Sequence, residues 1–163
     1  MTIIVGVKCK DGVVIGSDSQ SEFARGVAVK RLNKAKIYII QKRFAIAGAG
    51  TLAHIEKAVD AIDLGLREAK RRKGGVDLSE DECVNAIERS ITAVYKEYNI
   101  DRSNFLGDPQ AKDFFNPILI CSGLEELNGA ANACLFIVHN EGVVEKIGDY
   151  ATAGSGAAYA ELV

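Results

Sequence analysis

Apolar positions along this chain recur with two different periods, and the change of period divides it into strands and helices. The opening run, Thr2-Ile3-Ile4-Val5-Gly6-Val7-Lys8-Cys9, is β-branched and apolar at consecutive positions, which predicts a strand covered on both faces. Asp11-Gly12 is a two-residue hairpin signal, and Val13-Val14-Ile15-Gly16 returns as a second strand. The polar stretch 18–34 predicts a loop or a short irregular strand. Two more short strands, 36–40 and 44–47, flank a turn at Gln41-Lys42-Arg43. To this point the pattern is a β-meander with the N-terminus inside a strand.

Helical spacing follows. Leu52, Ile55, Val59, Ile62, Leu66 and Ala69 step by three and four, which puts them on one face of a helix. Basic residues 70–73 suit its negative C-terminal end, and Gly74-Gly75 stops it. Ser79 and Glu82 predict a capping box for a second helix, whose stripe is Val84, Ile87, Ile91, Val94 and Tyr98. Both stripes read as core. A polar loop over 99–116 contains Gly107-Asp108-Pro109. Strands resume at 118–121, 133–139 and 143–147, the last two joined by Asn140-Glu141-Gly142. A short strand at 150–153 leads through Gly154-Ser155-Gly156 into the opening turns of a helix at 157–163. Strands, two helices, strands and a helix start predict an α+β fold, a mixed sheet with helices packed on it.

Composition narrows the class. At 163 residues and 48% apolar content the chain fits one domain with a substantial core. The net charge is −2 and the basic residues are spread out, so neither nucleic acid nor an anionic membrane surface is an expected partner. The run 2–7 is too short to span a membrane and lacks the basic leader of a secretory signal. Cys9, Cys83, Cys121 and Cys134 show no C-x-x-C spacing; reduced, buried thiols in a cytoplasmic protein are expected, with no zinc site or disulfide framework. His54 and His139 are the only histidines. That excludes a histidine-rich metal site, and a Ser-His-Asp triad too unless one of them serves it. No metal or cofactor is expected.

Four places carry possible chemistry. Thr2 follows Met1, and a residue this small lets aminopeptidase clear the methionine. The exposed α-amine, with an ordinary pKa of about 7.7–8.0, can then act as base on the hydroxyl of its own residue. Asp18, in Gly16-Ser17-Asp18-Ser19-Gln20, is either a turn-capping carboxylate or a partner for a cation. Lys36 is either solvated at a sheet edge or paired with Asp18, where its charge would lower the pKa of a nearby amine and favour an alkoxide. The turns Ala47-Gly48-Ala49-Gly50 and Gly154-Ser155-Gly156 either offer backbone N–H groups to an oxyanion or are tight turns that need positive φ.

In this order the four resemble the proteasome β-subunit family of N-terminal nucleophile hydrolases, including the peptidase subunit of the bacterial two-component ATP-dependent protease. The opening Thr-Ile-Ile-Val-Gly-Val-x-x-x-Asp-Gly-Val-Val-Ile-Gly-Ser-Asp-Ser-Gln is similar to the family's N-terminal signature. Lys36-Ile37-Tyr38 with Phe44-Ala45-Ile46-Ala47-Gly48-Ala49-Gly50 is similar to its next block, and Ala153-Gly154-Ser155-Gly156 to a later one. The resemblance implies a four-layer α-β-β-α sandwich and peptide-bond hydrolysis through a threonyl acyl-enzyme. It implies Thr2 as nucleophile, its amine as base, Lys36 as the tuning charge and Asp18 as the group that orients Lys36. Gly48 N–H would hold the oxyanion, and Ser155 would place the amine and its water. Ser21, Lys34, Ile46 and Gly50 would surround the substrate side-chain pocket.

The resemblance further implies peptide substrates, homo- or hetero-oligomeric ring subunits as neighbours and an ATPase unfoldase as partner. Residues 1–163 would form a single β-like domain without its C-terminal part, so that the second helical layer is largely missing. The sheet that carries 134–138 would then lack cover on one face beyond the stub 157–163. One alternative is a catalytically silent ring subunit that keeps Met1. Another is dinucleotide binding, because Gly48-x-Gly50-x-x-Ala53 follows a strand and opens a helix. Against it, a second helix comes next where a parallel strand should, and no acidic residue closes the unit.

Overall fold

The computed structural model describes residues 2–21, 32–33, 36–98, 118–127, 130–139 and 141–161, with the backbone alone at 20–21, 32–33, 118–127 and 130–132. The loop expected over 99–116, most of the stretch 18–34, Met1 and Asn140 lie outside the described residues.

Strands β1 (Ile4–Cys9) and β2 (Gly12–Ser17) form the expected hairpin, with Ile4 opposite Ser17 and Cys9 opposite Gly12. The two-residue strands β3 (Gln20–Ser21) and β4 (Leu32–Asn33) pair with each other. Strands β5 (Ile37–Ile40) and β6 (Phe44–Ala49) form a second hairpin, followed by helices α1 (Leu52–Arg72) and α2 (Glu80–Glu97). Then come β7 (Ile118–Leu127), β8 (Ala130–Val138), β9 (Val144–Ile147), β10 (Tyr150–Ala153) and the single turn α3 (Ala157–Ala160). The fold is mixed α and β, and no described helix is long and apolar enough to cross a membrane.

The expected continuous meander is divided between two sheets. β5 to β9 make one antiparallel sheet in chain order, while β10 pairs with the free edge of β1 to give the order β10-β1-β2. Alternation along β6 and β8 sends side chains to two cores. Ile46, Cys134, Phe136 and Val138 pack with Ile55, Val59, Ile62 and Leu66 of α1 and with Ile87, Ile91 and Val94 of α2. On the opposite face Ala47, Ala49 and Leu135 pack with Ile4, Ala151 and Ala153 of the three-stranded sheet. Each fully buried Ile, Leu or Phe in these clusters contributes about 1.5–3 kcal/mol of transfer free energy. The segment 134–138 is therefore covered on both faces, contrary to the sequence expectation.

The face without cover among the described residues belongs to the other sheet. Val7 stands opposite Val14 on one side and Tyr150 on the other, and the three are 39%, 62% and 57% exposed. Among the described residues only one face of β1 is buried; a β-branched run marks a pleated strand without showing that both of its faces are covered. β7 and β8 also run further than the apolar pattern implied. Their ladder continues from Gly123 opposite Cys134 to Leu127 opposite Ala130, where Gly123, Glu125, Glu126 and Asn132 interrupt the apolar pattern but not the backbone pairing.

The helix ends follow the sequence. Gly74 and Gly75 have φ of 71° and 86°, and their N–H groups donate to the carbonyls of Arg71 and Lys70, which ends α1. The capping box of α2 is complete: Ser79 N–H donates to Glu82 Oε2 at 2.7 Å, and Glu82 N–H to Ser79 Oγ at 3.3 Å. Of the cysteines, Cys83 and Cys134 are buried as expected, while Cys9 is exposed, contrary to the expectation.

Candidate active site

Thr2 lies just before β1 and Asp18 just after β2, so the hairpin register brings them together at one end. Asp18 N–H donates to the Ile3 carbonyl at 3.1 Å, and Ile3 N–H donates back to Asp18 Oδ1 at 2.9 Å. Asp18 thus fixes the backbone next to Thr2, a role the sequence did not suggest. Lys36 arrives from the other sheet, one residue before β5. Its side chain is 8% exposed, and its Nζ donates to Asp18 Oδ1 at 3.0 Å, Asp18 Oδ2 at 2.9 Å and Thr2 Oγ1 at 3.2 Å. The choice left open by the sequence is settled: Lys36 is a buried, paired cation and not a solvated edge residue.

This geometry has a direct chemical consequence. A buried ammonium held against a carboxylate is a fixed positive charge, and it points one N–H at a hydroxyl oxygen. Such a contact favours negative charge on that oxygen over the neutral form. The carboxylate offsets the cost of burying the ammonium and sets its direction.

Thr2 is held from its other side by the turn after β10. Its N–H donates to Ser155 Oγ at 3.0 Å, and its carbonyl accepts the Gly156 N–H at 2.9 Å. Gly156 therefore spends its N–H on Thr2 and gives no donor to an oxyanion. This backbone contact had no signal in the sequence beyond the glycine itself. Gly154 and Gly50 have φ of 96° and 122°, which fits the tight-turn reading at those two positions. Gly48 lies in β6, and its N–H donates to the Lys36 carbonyl at 3.3 Å, at the long end for such a bond. A Gly48 donor to an oxyanion would have to exchange that carbonyl for the substrate oxygen.

The expected pocket residues are less well gathered. Ile46 is 1% exposed within the helix-side core, Gly50 is exposed at the start of α1, and Ser21 is described by its backbone alone. Lys34 lies outside the described residues. His54, in the first turn of α1, is held below the ordinary imidazole value by burial. A groove of about 940 Å³ between α1 and α2, lined by Ala61, Leu64, Ala86 and Arg89 among others, shares no residue with this site. The dinucleotide alternative does not survive: both neighbours of β6 are antiparallel to it and α2 follows α1, so Gly48 and Gly50 open no βαβ unit.

Known proteins similar in sequence to this chain include proteasome subunits. The family model described as Proteasome subunit matches residues 2–76, which include Thr2, Asp18, Lys36 and Gly48. A protein of Nanoarchaeum equitans named proteasome subunit beta is 30% identical over 162 residues, covering 96% of this chain and 68% of that protein. Proteasome subunit beta 1 of Thermococcus kodakarensis is 41% identical over 54 residues, 33% of this chain and 26% of that protein.

Proposed function

The chain belongs to the proteasome β-subunit family, and from that membership we propose that it is a threonine-type endopeptidase whose nucleophile is Thr2 once Met1 has been removed. The observation that carries the reading is the 3.2 Å contact from Lys36 Nζ to Thr2 Oγ1, made while Asp18 grips the same ammonium with both oxygens. With Met1 attached, the Thr2 nitrogen is an amide and cannot accept a proton. Free, it is the nearest base to its own hydroxyl.

In this reading the Thr2 amine takes the hydroxyl proton as Oγ1 bonds to the carbonyl carbon of the scissile peptide. Lys36 stabilises the developing charge on Oγ1, and the Gly48 N–H turns to the substrate oxyanion. The protonated amine then gives its proton to the leaving nitrogen, and the C–N bond breaks to leave an ester on Thr2. A water placed near Ser155 and the amine reverses the sequence and frees the acid. Ser21, Lys34 and Gly50 border the pocket for the substrate side chain, with Lys34 favouring acidic groups at its rim; Ile46 is withdrawn from it by its burial in the helix-side core. By the same family analogy the domain is a four-layer α-β-β-α sandwich, assembled with other subunits into a ring and fed by an ATPase unfoldase in the cytoplasm.

A second reading, a ring subunit without turnover, is favoured by one observation: the Gly48 N–H is already engaged by the Lys36 carbonyl. Peptide turnover by Met1-free protein separates the two. Thr2→Ala should abolish turnover, and Thr2→Ser should keep much of it because the hydroxyl and amine both survive. Absence of turnover in the Met1-free wild type would favour the silent subunit. Full turnover in Thr2→Ala would remove Thr2 from the mechanism.

A further inference from the structure

The turn after β10 approaches Thr2 more closely than its hydrogen bonds require. A Cβ built on Gly154 would lie 2.4 Å from the Thr2 carbonyl oxygen, 2.9 Å from its carbonyl carbon and 3.2 Å from its Cγ2. All three nearest atoms belong to the one residue that carries the nucleophile. Separations under about 3 Å between non-bonded heavy atoms of this kind do not occur without displacement of one partner. The neighbouring Gly156 N–H draws the Thr2 carbonyl towards this turn at 2.9 Å, and Ser155 Oγ accepts the Thr2 N–H at 3.0 Å. Gly154 is therefore the floor against which Thr2 is seated by its two neighbours.

We propose that Gly154 is a positioning residue, its missing side chain setting how deeply Thr2 sits and thereby its distance from Lys36. The inference rests on the reading of Thr2 as nucleophile. A methyl group at Gly154 pushes the Thr2 backbone outward, away from the turn. Thr2 Oγ1 and the amine then shift relative to the ammonium that Asp18 grips, since Asp18 is tied to Ile3 and not to Thr2 itself. The substrate pocket, built from other elements, is left as it was. The effect should consequently fall on kcat rather than on KM, because the interaction weakened is one made in the transition state.

Gly154→Ala in Met1-free protein tests this, with Gly75→Ala as the control. Gly75 also has a left-handed φ, 86°, but a Cβ there meets nothing within 4 Å, so the control carries the backbone strain without the collision. Gly154→Ala should lose about 100-fold in kcat, the scale of a 1 Å misplacement, with KM changed less than about twofold. The ionisation that governs kcat/KM should move up towards the ordinary amine value as the amine leaves Lys36. Gly75→Ala should lower the thermal midpoint yet keep wild-type kcat and pH profile per folded molecule. Wild-type kcat and pH profile in Gly154→Ala, alongside an inactive Thr2→Ala, would overturn the positioning role while leaving the nucleophile in place. Turnover in Thr2→Ala would instead overturn the underlying reading. Asn tolerates positive φ better than Ala, so Gly154→Asn with Gly75→Asn serves if Gly154→Ala does not fold. Failure of both Gly154 variants to fold, with both Gly75 variants folded, would show a general structural role and overturn the proposal.

Discussion

Replacing Lys36 with Ala removes one ammonium and three hydrogen bonds at the junction of the two sheets. The contact with Thr2 Oγ1 is 3.2 Å; with an effective dielectric of about 20, a full negative charge on that oxygen gains about 5 kcal/mol from the ammonium. Roughly half of that charge has developed at the transition state, so loss of the ammonium costs about 2.5 kcal/mol, or about 100-fold in kcat. Lys36→Arg should fall by a similar factor, since a planar fork cannot replace a compact ammonium in a site this tight. Stability must be separated from chemistry. Breaking a fully buried ion pair costs about 3–5 kcal/mol, but the Asp18 side chain keeps 27% exposure, so about 1–2 kcal/mol is expected here. Adding Asp18→Asn to Lys36→Ala should recover most of the lost thermal midpoint and none of the turnover. The assay is peptide hydrolysis per folded molecule by Met1-free protein, with midpoints measured on the same samples. Turnover near the wild-type rate in Lys36→Ala would refute the electrostatic argument; recovery of turnover in the double variant would show that Lys36 serves the fold alone.

Two further outcomes follow from packing and charge. A Cβ on Gly65 would lie 2.0 Å from Ser90 Oγ across the α1–α2 contact, so Gly65→Ala should lose about 1–3 kcal/mol by overpacking. Gly65→Ala with Ser90→Ala should regain this and add up to about 1 kcal/mol of helix propensity; a double variant no more stable than the single would contradict it. Asp77, bonded by Arg43 and Lys70, has its carboxyl lowered from 3.8 to about 2. Its contribution is present above the ordinary carboxylate value and is lost as pH falls through about 2. With the side chain 28% exposed, screening reduces it to about 1 kcal/mol. Asp77→Asn should therefore lower stability at pH 7 by about that amount and make little difference at pH 2; an equal loss at both would rule the ion pairs out as the cause.

The elements themselves were legible because each carries a local signal. The 3.6 spacing from Leu52 to Ala69, the Ser79–Glu82 box and the Asp11-Gly12 hairpin depend on neighbours a few residues away, and the structure follows them. Thr2, Asp18 and Lys36 were legible as a set only through the family resemblance, since a lone Asp or Lys has ordinary structural uses. What was not legible is pairing at a distance. Nothing in the local pattern of Tyr150–Ala153 says that it borders β1, and that pairing splits the meander and carries Ser155 to Thr2. Which face of β6 each residue occupies depends on the same pairing, so Ile46 could be named but not assigned to the helix-side core. Backbone contacts left no trace either: Gly156 on the Thr2 carbonyl and Gly48 on the Lys36 carbonyl look like any glycine in a turn or strand.

The central claim is that the free amine of Thr2 and its hydroxyl act together, and one measurement addresses it directly. Protein with Met1 retained and protein with Met1 removed, each verified by intact mass, are compared for peptide hydrolysis across pH. They are also compared for labelling by an electrophile that bonds both the Thr2 oxygen and its amine. The processed form should hydrolyse peptides with a rate that rises with pH through a single ionisation below the ordinary amine value, because Lys36 disfavours the charged amine. It should take the label at Thr2 alone, while the Met1-bearing form should be inactive and unlabelled at every pH. Equal turnover by the two forms would contradict the account and place the nucleophile elsewhere in the chain.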